Sequence, residues 1–186
     1  MMLVKKLQEH IFVIPGFWTG EECENFITKS EQIGYEKAAI ETDRGQKVVE
    51  FVRNNNRVLY TDVPLADAIW QKLEPYAPAQ IGLSKAVGLN ELFRFYKYLP
   101  GQQFRRHRDQ SYIRSSTEAS YYTFMIYLND GYTRGETTFN RLSIKPEKGM
   151  ALIFLHSLEH EGSAVLSGVK YVLRSDIMYR LVEENV

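Results

Sequence analysis

Apolar and polar positions change rhythm partway along the chain. Up to about residue 90 short extended runs alternate with helical spacing, and from Glu91 onward the texture is that of strands. His10 to Ile14 is an apolar run, opened as a strand by His10 and ended by Pro15-Gly16. Thr19 can cap a helix running through Glu21 to about Glu31, with Phe26 and Ile27 facing inward. Ala66, Ile69, Trp70 and Leu73 share one face of a second helix, Leu65 to about Leu73. Strand-like runs then follow: Leu92 to Tyr98, stopped at Pro100-Gly101; Tyr121 to Leu128, stopped at Asn129-Asp130-Gly131; Met150 to Leu155; and Val169 to Leu181. Short strands closed by frequent turns predict a β-sandwich or barrel. Because the helices precede the strands, they are expected on one outer face of the β core.

The chain thus reads as mainly β with flanking helices. Its 186 residues suit a single domain, residues 1–186, with 1–90 as helical and strand support and 91–186 as the β core. Lys plus Arg and Asp plus Glu both number 23, so nothing predicts a broad footprint for nucleic acid or an anionic membrane. The single cysteine, Cys23, cannot form an internal disulfide, which points to a reducing compartment and a packed thiol. The N-terminal residues lack the apolar core of a signal peptide, and no apolar run approaches the roughly 20 residues that span a bilayer. A cytoplasmic protein without a membrane partner is expected, of open oligomeric state.

The candidate chemistry starts at His107-Arg108-Asp109, which follows the strand-like Gln103–Arg106. On an extended chain residues i and i+2 project to one face, so an imidazole and a carboxylate point together. By itself the pair also fits two solvated polar residues. A further histidine would complete a two-His, one-carboxylate facial triad, the set that leaves open positions on non-haem Fe(II). Two histidines follow, His156 and His160. Lys170 comes ten residues after His160, at the head of a strand. A cation there suits 2-oxoglutarate, whose distal carboxylate would be costly to bury unpaired.

In their order and spacing several segments resemble the prolyl 4-hydroxylase-like branch of the 2-oxoglutarate/Fe(II) oxygenases. They are Ile14-Pro15-Gly16-Phe17, Glu21-Glu22-Cys23, Tyr98-Leu99-Pro100-Gly101-Gln102 leading into His107-Arg108-Asp109, Gly135-Glu136-Thr137-Thr138-Phe139, Lys145 to Phe154, His160-Glu161-Gly162 and Gly168-Val169-Lys170. The resemblance implies a double-stranded β-helix, or jelly roll, with metal at one open end. It implies a dioxygenase that uses Fe(II), 2-oxoglutarate and O2, with ascorbate as a candidate auxiliary, and hydroxylates a C–H bond while releasing succinate. His107, Asp109 and His160 match the iron ligands, which leaves His156 a loop histidine behind them. Lys170 matches the residue that binds the distal carboxylate, with Arg174 as the alternative anchor. Tyr98 matches a tyrosine contacting the same carboxylate, or is a buried strand aromatic. Thr137 matches a threonine that touches the co-substrate, or hydrogen-bonds within a strand. The carboxylate of Asp109 separates the chain from the iron halogenases, which lack it.

The substrate is read as a peptide or protein residue of prolyl type, or a small polar metabolite. A metal-binding jelly-roll sensor without turnover is the alternative from another class. Arg53, Asn55 and Arg57 share strand parity in a polar stretch resembling one that meets substrate in peptide hydroxylases. Lys170, Val172, Arg174 and Asp176 also share parity, so Arg174 and Asp176 should face the pocket with Lys170. Collagen-type prolyl hydroxylases carry tryptophan where Asp176 stands, a departure that disfavours a prolyl peptide. Arg53, Asn55, Arg174 and Asp176 are accordingly the candidate substrate residues, and Arg174 and Asp176 can also pair with each other.

Overall fold

The computed structural model describes residues 2–38, 40–42, 45–47 and 51–182, the backbone alone for 40–42 and 45–47. The outermost residues of the expected 1–186 domain thus lie outside the described ones.

Two antiparallel sheets face each other. The larger runs in the order Lys5–Gln8, Ile11–Ile14, Ala151–Leu155, Glu118–Tyr127, Lys170–Leu181, Leu92–Tyr98, Asn56–Thr61 and Glu36–Lys37. Ser84–Leu89 adds to the far half of Lys170–Leu181. The smaller sheet is Phe104–His107, His160–Gly162, Thr137–Phe139 and Leu142–Ile144. From Glu118 onward the chain passes repeatedly between the two sheets, which is the jelly-roll path.

Strand alternation divides the large sheet into two faces. Phe93, Phe95, Phe124, Ile126, Leu173 and Ile177 pack on one side with Phe17, Cys23, Ala66, Ile69 and Leu73. Both helices therefore lie on that outer face, as the order of elements predicts. Tyr96, Tyr98, Tyr127, Leu152, Phe154 and Val172 point the other way, where they meet Phe139 and Ile144 of the small sheet. Phe93, Phe95 and Phe124 are fully buried. Truncating any one to Ala costs about 3–5 kcal/mol in such a site.

Helix α1 spans Gly20–Ile33 and starts at the predicted Thr19. The Thr19 hydroxyl accepts from the Glu22 amide at 3.1 Å, and the Glu22 carboxylate accepts from the Thr19 amide at 2.7 Å, a capping box. Helix α2 spans Val63–Leu73, with Asp62 accepting from the Leu65 amide at 2.9 Å. The approach to α1 is tied to the sheet: the Trp18 amide donates to the Gly149 carbonyl at 3.0 Å. Gly149 has φ 78°, and a Cβ there would stand 2.1 Å from the Trp18 carbonyl oxygen, so glycine is required.

Two expectations need adjusting. His10 is not a strand residue: it sits in the turn before Ile11–Ile14 with φ 62°, its Nδ1 2.6 Å from the Tyr122 hydroxyl. The third run begins at Glu118, ahead of Tyr121, because Glu118 pairs across the sheet with Arg180 and accepts two hydrogen bonds from it. Among the described residues no helix is long and apolar enough to cross a membrane.

Candidate active site

His107 ends the strand Phe104–His107, and His160 opens His160–Gly162 beside it; the two pair directly in the small sheet. Asp109 follows two residues after His107, its amide held by the His156 carbonyl at 3.1 Å. Asp109 Oδ1 lies 3.6 Å from His107 Nε2, and Oδ2 lies 3.7 Å from His160 Nε2. One ligand atom from each of the three residues lies within 4.8 Å of the others.

Both imidazoles are aimed through their other nitrogen. His107 Nδ1 meets the Arg105 carbonyl at 2.7 Å, and His160 Nδ1 meets the Leu158 carbonyl at 3.0 Å. A carbonyl only accepts, so each Nδ1 carries hydrogen and each Nε2 presents a lone pair toward Asp109. Burial pushes His160 down to about 4, which keeps it a neutral ligand. Burial alone would raise the Asp109 carboxyl, but the Arg174 guanidinium and His107 hold it well below the usual carboxylate range. Two neutral imidazoles and one carboxylate fit a divalent iron with open positions.

A polar relay stands behind the carboxylate. The Thr123 hydroxyl donates to Asp109 Oδ2 at 2.5 Å and so accepts from His156 Nδ1 at 3.0 Å. His156 Nε2 then accepts from the Ser120 hydroxyl at 3.0 Å. His156 is thereby a buried orienting group, outside the cluster of three donors. Burial lowers its pKa, in keeping with this neutral role.

The three donors stand between two spaces. The inner chamber is lined by Tyr98, Thr137, Phe154, Lys170 and Val172, together with His107, Asp109 and His160. Lys170 is 2% exposed, and its ammonium donates to the Gly135 carbonyl at 2.7 Å. Burial drags its pKa down to about 7, with Glu136 opposing weakly. Tyr98 pairs directly opposite Lys170 in the sheet, and its ring centroid lies 5.2 Å from Nζ. The Thr137 hydroxyl accepts from Tyr127 at 2.6 Å.

The outer cavity, about 460 Å³, is walled by Arg53, Arg57, Arg94, Arg108, Arg174 and Tyr96, and also touches His107 and Asp109. Of the four candidate substrate residues, Arg53 and Arg174 line it. Asn55 and Asp176 line neither space. Asn55 accepts from Arg53 Nε at 2.7 Å, so it positions the arginine from behind. Asp176 accepts from Arg94 at 3.0 Å and from Arg174 at 3.2 Å. Those arginines are cross-strand partners, Arg174 opposite Arg94, and like charges in that register repel. Asp176 sits where both can reach it. Arg174 also lies 3.2 Å from Asp109 Oδ1, so the alternative anchor is engaged by two carboxylates.

Sequence reasoning missed Arg94, Tyr96 and Thr123, while His156 stands behind the ligands as expected. Arg94 and Tyr96 share the parity of Tyr98, a signal present in the run Leu92–Tyr98. Thr123 had no comparable mark.

The family model described as 2OG-Fe(II) oxygenase superfamily matches residues 93–175, the stretch holding all three donors and Lys170. No curated protein matches the chain. Among solved structures, the viral collagen prolyl hydroxylase of Paramecium Bursaria Chlorella virus-1 in complex with 2OG superimposes with a TM-score of 0.64 at 19% identity, covering 92% of this chain and 96% of that one. A Pseudomonas putida prolyl-4-hydroxylase gives 0.64 at 15% identity, covering 94% of each chain. A Trichoplax adhaerens prolyl hydroxylase, in complex with a hypoxia inducible factor oxygen degradation domain peptide fragment, gives 0.70 at 15% identity, covering 90% and 83%. The matched segment, residues 93–175, is thus similar to the 2OG-Fe(II) oxygenase superfamily, and with its three donors it fits an oxygenase dependent on Fe(II) and 2-oxoglutarate, set in a jelly roll like that of the prolyl hydroxylases.

Proposed function

We propose that His107, Asp109 and His160 hold the iron, that Lys170 receives the distal carboxylate of 2-oxoglutarate with Tyr98 and Thr137 beside it, and that the hydroxylated substrate enters through the outer cavity. The observation that carries this reading is the convergence of three donors at the junction of two spaces, one of which holds a buried lysine that, among the described residues, has no carboxylate on its ammonium. In this reading residues 1–186 act as one domain, with 91–186 as its catalytic core. The single free thiol, Cys23, supports cytoplasmic placement.

Bound iron and 2-oxoglutarate together supply the oxygen activation, with 2-oxoglutarate leaving as succinate and carbon dioxide. The chain supplies position and charge. The carbonyls of Arg105 and Leu158 fix the two imidazoles, and the Thr123 hydroxyl fixes the carboxylate. Lys170 offers a countercharge in a site walled from water by Phe154 and Val172. The arginine wall favours a polar substrate, either a peptide or protein side chain or a small metabolite. The peptide held by the Trichoplax adhaerens prolyl hydroxylase supports the peptide option. Ascorbate would serve as an auxiliary reductant.

Anaerobic addition of Fe(II) and then 2-oxoglutarate tests the site. A charge-transfer absorption band is expected in the wild type and absent in Asp109→Ala. A band of full strength in that variant would overturn the assignment.

A further inference from the structure

The substrate-facing wall is unusually cationic for a chain of zero net charge. It carries five arginines, while Asp109 belongs to the metal cluster and Asp176 lies behind Arg94 and Arg174. Arg53 is the telling member. It is 5% exposed, and among the described residues no carboxylate lies within ion-pair distance of it. Its Nε donates to Asn55, and its Nη2 is buried without a hydrogen-bond partner. Its guanidinium carbon stands 4.3 Å from the ring centroids of both Tyr96 and Phe104, so the fork is fixed in place. Arg174 Nε is a second buried donor without a partner.

A buried guanidinium with an unused donor is costly unless an anion completes it. Its planar fork matches a carboxylate, whose two oxygens accept side by side. The surrounding potential agrees. Burial would raise the Tyr96 phenol, yet Arg53, Arg174 and Arg94 pull it down to about 8.

Place also matters. The Phe104 ring lies against the His107 imidazole with centroids 3.5 Å apart, and Arg53 lies against the same Phe104 ring. An anion on Arg53 is therefore one aromatic layer from an iron ligand, close enough for the rest of a small molecule to reach the open face.

We propose that the substrate carries a carboxylate, received by Arg53 in the outer cavity; this rests on the Fe(II)/2-oxoglutarate reading of the site. The carboxylate belongs either to a free amino or organic acid or to an acidic residue of a peptide.

The test uses matched pairs on the Fe(II)- and 2-oxoglutarate-loaded protein: free amino acids against their carboxamides, and end-blocked peptides containing Glu or Asp against Gln or Asn. Succinate release and a mass gain of one oxygen are followed. The acid member of a pair should be hydroxylated and its amide should not; the responding arm names the source. Arg53→Gln should raise KM for that acid by about 30-fold or more, as loss of one partner of a buried charge pair does. KM for 2-oxoglutarate should stay unchanged, and Arg53→Lys should fall between, since it keeps the charge and loses the fork.

A binding readout works without turnover. N-acetylglycine should move the first-ionising phenol, assigned by Tyr96→Phe, above its starting value, and N-acetylglycinamide should not. Equal use of acids and amides, or neither turnover nor a phenol shift with any carboxylate, overturns the proposal. If wild-type protein fails to bind 2-oxoglutarate on Fe(II), the underlying reading falls as well. Normal 2-oxoglutarate binding with indifference to carboxylates removes this proposal alone.

Discussion

The two spaces that meet at the cluster of His107, Asp109 and His160 share walls but not chemistry. The inner chamber is lined by Lys170 among aromatic and apolar side chains, and Arg174, which it shares with the outer cavity, is already engaged by Asp109 and Asp176. The outer cavity is walled by five arginines. A single lysine whose pKa burial lowers to about 7 suits one ligand of fixed charge, because an arriving carboxylate restabilises its ammonium. Arginine stays charged whatever its surroundings, so a cluster of them must be held apart by fixed acceptors such as Asn55 and Asp176. The two pockets thus hold their cations differently, one by burial and the other by fixed acceptors.

The largest expected effect removes the junction between the two. His107→Ala and Asp109→Ala should each abolish 2-oxoglutarate turnover, since two donors do not fix a facial geometry. Circular dichroism should show the fold retained. Turnover persisting in both would separate the spaces from any metal.

Next comes the inner chamber alone. Lys170→Ala should raise the 2-oxoglutarate requirement about 30-fold or more, because one partner of a desolvated pair is lost. Fe(II) affinity, followed by direct titration, should hardly change. An unaltered 2-oxoglutarate response would move the anchor to Arg174 and erase the contrast.

Thr123→Val deletes the hydrogen bond to Asp109 and leaves the three donors in place. Loss of such a supporting bond weakens metal binding by about tenfold or more. Fe(II) titration measures it, and wild-type affinity would make Thr123 a bystander.

The most graded effect is a slope with pH. Lys170 has a pKa of about 7 before ligand binds, and a bound dianion raises it. Above pH 7 binding must therefore take up a proton, and affinity for 2-oxoglutarate should weaken by up to about tenfold per unit. Below pH 7 the ammonium is already present and the curve should flatten. Dissociation constants between pH 6 and 9 decide this, and a flat profile throughout would mean the ammonium is kept at every pH.

Much of this arrangement is legible in the sequence, because alternation and short motifs carry it. Phe93 and Phe95 against Tyr96 and Tyr98 already mark two faces, and Thr19 with Glu22 marks a helix start. His107, Asp109, His160 and Lys170 were candidates from order and spacing, and the fold brings them to one place. What stayed hidden depends on strand register. That Arg174 lies opposite Arg94 is a cross-strand fact, and the position of Asp176 between them follows from it. Parity placed Asp176 on the correct face, but not behind the arginines. The relay through Ser120, His156 and Thr123 joins the strand Glu118–Tyr127 to the turn after Ala151–Leu155, more than 30 residues on, so no local pattern could announce it. His10 reads as apolar-run residue by its neighbours, and only the turn geometry removes it from the strand.

The arginine pair bridged by Asp176 bears on how this cavity can evolve. Losing Asp176 alone would leave Arg94 without its carboxylate and Arg174 facing it with only Asp109, and breaking a buried pair costs about 3–5 kcal/mol, a large share of a domain's stability. Losing Arg94 alone would spare the Arg174 contact but unbalance the acceptor. A lineage changing substrate must therefore move Asp176 and at least one arginine in the same few steps, or cross a valley of poorly folded intermediates. Drift at these positions should be correlated, and libraries that vary them singly will sample mostly failures.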